Sequence, residues 1–372
     1  MTPKEKLLAL RDELRQTFLE RGDLIDGALA ALLSAQNLLI IGPPGTAKSM
    51  LADELCRRID GADYFQWLLT RFTAPEELFG AVSLKGLEQD DYRRVTTRKL
   101  PEAHIAFLDE VFKANSSILN SILTIINERR FHNGRNVCDV PLITLFGASN
   151  ELPEDDELTA LYDRFLLRFV VGYIEEDYRF LRMLEASRPE VQVRLTLDEL
   201  NQMQREVEAQ PVPGHVHRAM AEIRRQLGKK QIVASDRRYR QSLALMKAHS
   251  YLAGDAQVSD PSLLFLEHIL WREPSEHAEV GATIREIVLG YEQEAQELLY
   301  QAREIEEYVQ RPWDTEELRS QALIEGHTKL RNILGRIGQI IEKASDSDRP
   351  LDRVEGMRDE IQTLQKRLLE DL

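Results

Sequence analysis

The chain has 372 residues, 43% hydrophobic and 30% charged, which suits a water-soluble protein of two or three domains with ample core. Its net charge of −15 forms no basic footprint for nucleic acid, and its two cysteines are too few for a disulfide framework or a Cys-based metal site. No apolar run approaches the ~20 residues of a membrane span, so soluble functions lead.

The charge is unevenly spread. Trp271 to Leu372 holds 14 Lys/Arg against 23 Asp/Glu, a balance of −9, which leaves −6 for the first 270 residues. Arg93, Arg94, Arg98 and Lys99 cluster, which leaves room for a local basic loop. The opening Met-Thr-Pro-Lys-Glu-Lys lacks the charged-then-apolar order of a secretion signal, so the expected compartment is the cytoplasm.

Leu7, Leu10, Leu14 and Phe18 recur at helical spacing, and Ile25, Leu29 and Leu32 form a second stripe after Gly22. The run Leu38-Leu39-Ile40-Ile41 then reads as a strand buried on both faces. A glycine loop follows, and after it a helix with Leu51, Leu55 and Ile59 on one side. Cys56 is most simply a small core residue of that helix. Further buried strands are expected at Tyr64–Leu69, His104–Leu108 and Leu142–Gly147, with a helix at Ser116–Glu128. Such alternation predicts a parallel sheet covered by helices on both faces, an α/β fold.

Two stretches interrupt the pattern, at 81–101 and 129–140. Both read equally as hairpins projecting from the sheet's edge or as ordinary surface loops, the second carrying the Asn133-Gly134 turn signal of a hairpin. After Gly172 the strands are expected to stop. Residues 175–272 read as helices, including Gly214–Leu227 and Asp236–Ala253. Farther on, Ile284, Val288, Tyr291, Ala295, Leu298, Ala302, Ile305 and Val309 step by fours and threes. Leu330, Leu334, Ile337 and Ile341 repeat the pattern, as do Val354, Ile361, Leu364 and Leu368. Breaks at Arg311-Pro312 and Ser345–Pro350 let these helices fold back as a hairpin or three-helix bundle rather than an intermolecular coiled coil. The expected parts are 1–172, 173–272 and 273–372.

Gly42-Pro43-Pro44-Gly45-Thr46-Ala47-Lys48-Ser49 follows a buried strand and opens a helix, the setting of a phosphate-binding loop. Its backbone N–H groups would turn toward phosphates, Lys48 would neutralise the β/γ oxygens, and Ser49 would ligate Mg2+. Alanine stands where glycine usually precedes the lysine. If Ala47 is already helical, that exchange costs nothing.

His104 to Glu110 is an apolar strand ending in two carboxylates. Beside the loop, Asp109 would hold hydrated magnesium and Glu110 would activate the attacking water. The run Leu142 to Ala148 ends in Ser149-Asn150. Taken alone Asn150 is more often a turn residue; third in order after two such strand ends, it is placed to orient the same water.

The order of loop, Asp-Glu strand, Ser-Asn strand and Leu161-Tyr162-Asp163-Arg164-Phe165 resembles the MoxR family of AAA+ ATPases. Thr70 to Gly80, Ile126 to Phe131 and Ala148 to Pro153 are similar to its RavA branch. The resemblance covers roughly residues 15–255, and it makes Ala47 typical rather than irregular. It implies an AAA+ sheet flanked by helices, an all-α lid and a helical extension. Arg164 would be an arginine finger reaching the nucleotide of a neighbouring subunit, with Arg168 as the fallback. Arg237 would be the sensor-2 arginine at the start of a lid helix. The stretch near Leu19 would contact adenine, and Met50 would join Gly42 to Ser49 in binding ATP. The two projections at 81–101 and 129–140 correspond to insertions of this clade.

The leading expectation is a magnesium-dependent ATPase that forms a ring, hexameric by resemblance, and remodels a protein partner. Members commonly act with a von Willebrand factor A domain protein, and the acidic tail would be a platform for partner contact. A nucleotide-gated scaffold with little turnover would keep the same residues. A DNA-associated ATPase is disfavoured by the acidic balance. The RavA branch carries a β-rich module in its tail, and no β-rich, Gly-punctuated stretch lies between Ser259 and Leu372.

Overall fold

A capping box opens the first helix: the Thr2 hydroxyl accepts from the Glu5 N–H at 3.2 Å while the Glu5 carboxylate accepts from the Thr2 N–H at 2.8 Å. Helix α1 (Pro3–Thr17) buries Leu7, Leu10 and Leu14, and α2 (Gly22–Ser34) is buried along most of its length. The structure, a computed structural model, describes residues 1–153, 156–185, 193–346 and 349–370.

Strand β1 (Leu38–Ile41) is buried at all four positions and runs into the glycine loop and α3 (Lys48–Arg57). Next come β2 (Ile59–Asp60), β3 (Tyr64–Leu68), the short helices α4 (Pro75–Phe79) and α5 (Leu84–Leu87), and β4 (Ile105–Asp109). Helix α6 (Ser116–Glu128) has the bounds its apolar spacing predicts. The hairpin of β5 (Arg130–Asn133) and β6 (Asn136–Asp139) leads to β7 (Thr144–Ser149), α7 (Asp156–Arg164) and β8 (Leu167–Val170).

Five strands form one sheet in the order β3-β4-β7-β1-β8, every neighbouring pair parallel. The order determines where chemistry can gather. All five strands point the same way, so Ile41, Asp109 and Ser149 end at one edge of the sheet. Asn37, His104 and Leu166 precede their strands at the opposite edge. The α/β expectation holds, with helices flanking a parallel sheet.

The structure decides between hairpin and loop for the two projections. Residues 81–101 do not form a two-stranded hairpin: among the described residues they carry a single antiparallel bridge, Val82 to Arg94, around α5. Ser83 caps that helical turn by accepting from the Gly86 N–H at 3.2 Å, so local side-chain bonding competes with a ladder. The 129–140 hairpin does form, with Gly134 at φ 63 in its turn. The two projections are joined, because the Arg94 N–H donates to Asn133 Oδ1 (2.6 Å) and Asn133 Nδ2 donates to the Arg94 carbonyl (3.1 Å).

Helix α8 (Asp177–Glu185) follows the sheet. Strands do not stop at Gly172, since β9 (Leu195–Thr196) pairs in parallel with β2. Two residues carry no periodic signal, which is why the pairing is invisible in the sequence. Residues 186–192, inside the stretch read as helical, lie outside the described residues. The remaining helices are α9 (Leu197–Glu208), α10 (Gly214–Lys229), α11 (Asp236–Ala253), α12 (Asp260–Leu264), α13 (His277–Gln310), α14 (Glu316–Asp346) and α15 (Asp352–Glu370).

The chain divides into two units by contact: Met1–Pro211 with Ala234–Pro274, and Val212–Val233 with Ser275–Leu372. The first holds the sheet, α11 and α12. The second holds α10 and a bundle of α13, α14 and α15, whose shared core includes Ala295, Leu298, Ala302, Leu330, Ile337, Ile361 and Leu368. These are heptad positions read from the sequence, now paired within one chain. Gly326 lets two of these helices approach, since a Cβ there would lie 2.5 Å from Val309 Cγ2. No helix among the described residues is long and apolar enough to cross a membrane.

Candidate functional site

The loop after β1 is tightly held on one side and open on the other. Gly42 donates to the Ser149 carbonyl at 3.0 Å, and a Cβ on it would lie 2.2 Å from the Val171 carbonyl oxygen, so no larger residue fits. Gly45, at φ 81, has nothing near its Cα on the side a Cβ would occupy. Ala47 contradicts the reason expected for tolerating it. It is not helical; it caps α3 at φ 64, ψ 23 in the left-handed region, a conformation that costs a non-glycine residue roughly 1–2 kcal/mol.

Lys48 begins α3 and points back across the loop. Its Nζ donates to the Gly42 carbonyl (2.5 Å), the Pro43 carbonyl (3.0 Å) and Asn150 Oδ1 (3.0 Å). Burial holds its pKa below the usual lysine range, opposed by the charges of Asp109 and Glu110. Asn150 Nδ2 donates to Glu110 Oε1 at 2.6 Å, and Lys113 pairs with Glu110 Oε2 at 3.2 Å. The Asp109 carboxylate accepts from the Glu110 N–H at 3.0 Å, and burial raises its pKa. Glu110 itself sits at φ 52, a second left-handed residue. Backbone strain on both sides of Lys48 marks a place where position is held against local preference. The structure thus brings Lys48, Asp109, Glu110 and Asn150 together at the strand ends, as the order of motifs predicts.

A cavity of about 360 Å³ opens beside the loop. Leu19, Met50 and the Gly45–Ala47 backbone line it, and so do Phe18, Tyr173, Phe180 and Met183. It has the size and apolar lining of a site for a flat heterocycle. Sequence reasoning reached Leu19 and Met50 but missed the last four residues. Phe18 closes α1; for Tyr173, Phe180 and Met183 the signal was the end of β8, since a strand beside β1 must deliver its following residues to the same edge. Glu20 fixes that exit by accepting from the Glu175 (3.0 Å) and Glu176 (3.2 Å) N–H groups, and the Glu175 bond leads in holding its carboxyl below the usual range.

The donor set suits a nucleotide carrying magnesium. Among the described residues no group of three or more His, Cys, Asp or Glu could hold a metal alone. A magnesium ion that arrives on phosphates needs only one or two protein ligands, and Ser49 with Asp109 would serve.

Arg164 and Arg237 lie elsewhere. Asn37, just before β1, holds the Arg164 carbonyl through Nδ2 at 3.5 Å. At about 3.3 Å per residue, β1 separates Asn37 from Gly42 by roughly 16 Å. Arg164 pairs with Asp163 at 3.4 Å and Arg237 reaches the same carboxylate at 4.0 Å. Both line a cavity of about 530 Å³ at this opposite edge. Burial, and then the charge of Arg237, lowers the pKa of Arg164. Neither arginine joins the loop of its own chain.

Arg168, the fallback, is only 2% exposed. It stacks 3.8 Å over the Tyr162 ring and donates to the Trp271 carbonyl at 2.6 Å, so it builds the fold and faces no neighbour. Arg238 was missed. It donates to the carbonyls of Leu166 (2.7 Å), Ile269 (2.8 Å) and Phe165 (2.9 Å), and burial pushes its pKa down to about 9. It pins the segment that carries Arg164 against α11. Replacing Arg238 with Met strands those buried acceptors and is expected to cost about 3 kcal/mol or more, read as a lower urea midpoint. The exposed neighbour change Arg237→Met should stay within about 1 kcal/mol. Equal midpoints for the two variants would contradict this account of the pin.

Comparison with known proteins gives two family matches. The family described as the MoxR domain in the MoxR-vWA-beta-propeller ternary systems matches residues 5–206, and an AAA lid domain matches residues 215–284. The chain is 43% identical over 293 residues to an uncharacterized protein of Methanocaldococcus jannaschii, covering 77% of this chain and 75% of that one. It is 26% identical over 199 residues to Chaperone MoxR1 of Mycobacterium tuberculosis, covering 52% of each. A crystal structure of a candidate ATPase from Cytophaga hutchinsonii superposes with a TM-score of 0.62 at 16% identity, over 77% of this chain and 94% of the other.

Proposed function

This chain belongs to the MoxR family of AAA+ ATPases, and on that premise we propose that it hydrolyses ATP at a site completed by a second copy of itself. One observation carries the reading. Lys48, Glu110 and Asn150 meet at one edge of the sheet, whereas Arg164 and Arg237 share a cavity at the other.

In this reading the loop from Gly42 to Ser49 cradles the phosphates, with Lys48 against the β/γ oxygens and adenine in the pocket of Leu19, Met50 and Tyr173. Ser49 and Asp109 would hold magnesium, which would supply charge neutralisation at the phosphates. Glu110 takes the proton of the attacking water, and Asn150 holds both that water and the Glu110 carboxylate in line. Arg164 and Arg237 of the next copy meet the charge that builds on the γ-phosphate.

A contact in which one edge meets the opposite edge of another copy is heterologous, and it closes as a ring when the rotation allows. We take that ring to be a cytoplasmic hexamer, RavA-like within the family. Residues 1–172 act as its nucleotide-binding core, 173–272 as the lid and 273–372 as the extension. The family description supports a von Willebrand factor A domain protein as the partner, and the likeness to a chaperone supports remodelling of that partner.

Steady-state phosphate release tests the activity. Wild type should turn over ATP while Lys48→Ala falls to background, and the ATP-loaded protein should have the mass of a hexamer. Wild-type release no faster than Lys48→Ala would overturn the enzyme reading.

A further inference from the structure

The cavity that holds Arg164 and Arg237 has a third arginine in its wall, Arg129. It ends α6 in the left-handed region at φ 55, ψ 39. Its guanidinium donates to the carbonyls of Ile126 (3.3 Å), Ala35 (3.1 Å) and Ile143 (3.1 Å). Those carbonyls belong to three separate pieces: the end of α6, the turn before β1 and the approach to β7. No carboxylate among the described residues pairs with Arg129. Its partners are neutral.

A half-buried cation without a counter-ion is costly to hold, and burial does lower its pKa, to about 10. The rest of the wall does not compensate it. Gln36, Asn37, Asn127 and Gln241 are neutral amides. Among the described residues, Asp163 is the carboxylate that pairs with the other two arginines. Among the described residues, three guanidinium groups in the wall against one paired carboxylate leave an excess of positive charge facing a polar, open cavity. Such an excess suits a polyanion.

The wiring of Arg129 gives it a specific task. It grips Ala35, two residues before Asn37. Asn37 is 6% exposed, accepts from the Leu145 N–H at 3.1 Å and holds the Arg164 carbonyl. A guanidinium lost at Arg129 therefore loosens the turn that sets where Arg164 points.

We propose that Arg129 completes, with Arg164 and Arg237, a three-arginine receptor for the triphosphate bound to the neighbouring copy. Arg129 acts there as a positioning residue: it holds the Ala35–Asn37 turn and adds charge to the wall, while Arg164 makes the contact. The inference rests on the two-copy site proposed above.

The test uses full-length variants in mixtures. Arg129→Ala alone should lower kcat about 10- to 100-fold with the KM for ATP unchanged, as a misplaced contact residue does. Arg129→Lys keeps the charge and one carbonyl bond, and should recover part of that loss. An equal mixture of either variant with Glu110→Gln should regain activity, because an intact Glu110 site then faces an intact arginine wall at about a quarter of the contacts. Arg164→Ala mixed with Glu110→Gln is the reference. Recovery with Arg164→Ala but not with either Arg129 variant would overturn the trans assignment of Arg129 and leave the two-copy site standing. Recovery in no mixture would overturn the two-copy reading itself. Wild-type kcat for both Arg129 variants would also overturn the inference.

Discussion

Arg164→Ala is expected to lower kcat by about 10³–10⁵ while leaving ATP affinity close to wild type. The split follows from position. Arg164 is roughly 16 Å along the sheet from the loop of its own chain, so it contributes nothing to nucleotide held there in the ground state. In the proposed two-copy site it matters only when a neighbour's γ-phosphate gains charge in the transition state. Phosphate release and binding of a fluorescent nucleotide measure the two quantities separately. Arg168→Ala should behave in the opposite way. Buried at 2% exposure between Tyr162 and Trp271, Arg168 should take stability with it and leave the folded fraction active. A variant of Arg164 that loses binding and rate together would contradict the assignment.

Glu110→Gln should lose about 10²–10⁴ of kcat and keep ATP bound. Glutamine matches glutamate in shape, and its carbonyl oxygen can still accept from Asn150 Nδ2, so the local frame stays intact. The ion pair with Lys113 disappears, but Lys113 is 48% exposed, and such a pair contributes about 0–1 kcal/mol. The variant should therefore unfold at nearly the wild-type midpoint. In the proposed mechanism it lacks only the base for the proton of the attacking water. Retained ATP with hydrolysis near background is the expected pair of readings; hydrolysis within tenfold of wild type would remove Glu110 from its role.

The strand-end cluster was legible in the sequence because a parallel sheet turns chain order into place. Apolar runs ending at Ile41, Asp109 and Ser149 had to finish at one edge once their strands lay parallel, and Lys48, Glu110 and Asn150 meet there. The bundle was legible for a similar reason, since a repeat of three and four residues fixes which faces are buried. Other features depend on contacts between distant residues. Nothing local decided between Arg168 and Arg164: each is followed by a phenylalanine, Phe169 and Phe165, and only the Trp271 carbonyl and the Tyr162 ring decide that one is buried. Arg237 and Arg238 are adjacent, yet one side chain is 43% exposed and the other 5%, because a helix turns its successive residues by about 100°. The pocket wall of Tyr173, Phe180 and Met183 is tertiary in the same sense.

Ala47 carries a different lesson. Helix propensity predicted comfort inside α3, but the residue lies one position earlier, where the chain must turn left-handed to aim Lys48. The same residue type that is cheapest in a helix is strained at its cap. With Glu110 also left-handed, strain lies both at the cap of α3 and just after β4. The condition under which Ala47 would cost nothing, a helical conformation, is not met.

The central claim is that one chain's loop works with another chain's arginines. It is tested most directly by titrating Glu110→Gln into Arg164→Ala and following phosphate release. Each variant alone should be nearly inactive. The account predicts a curve that rises from background, peaks near equal amounts at about a quarter of wild type, and falls again. A flat line at background across all ratios, with both variants folded and binding ATP, would contradict it.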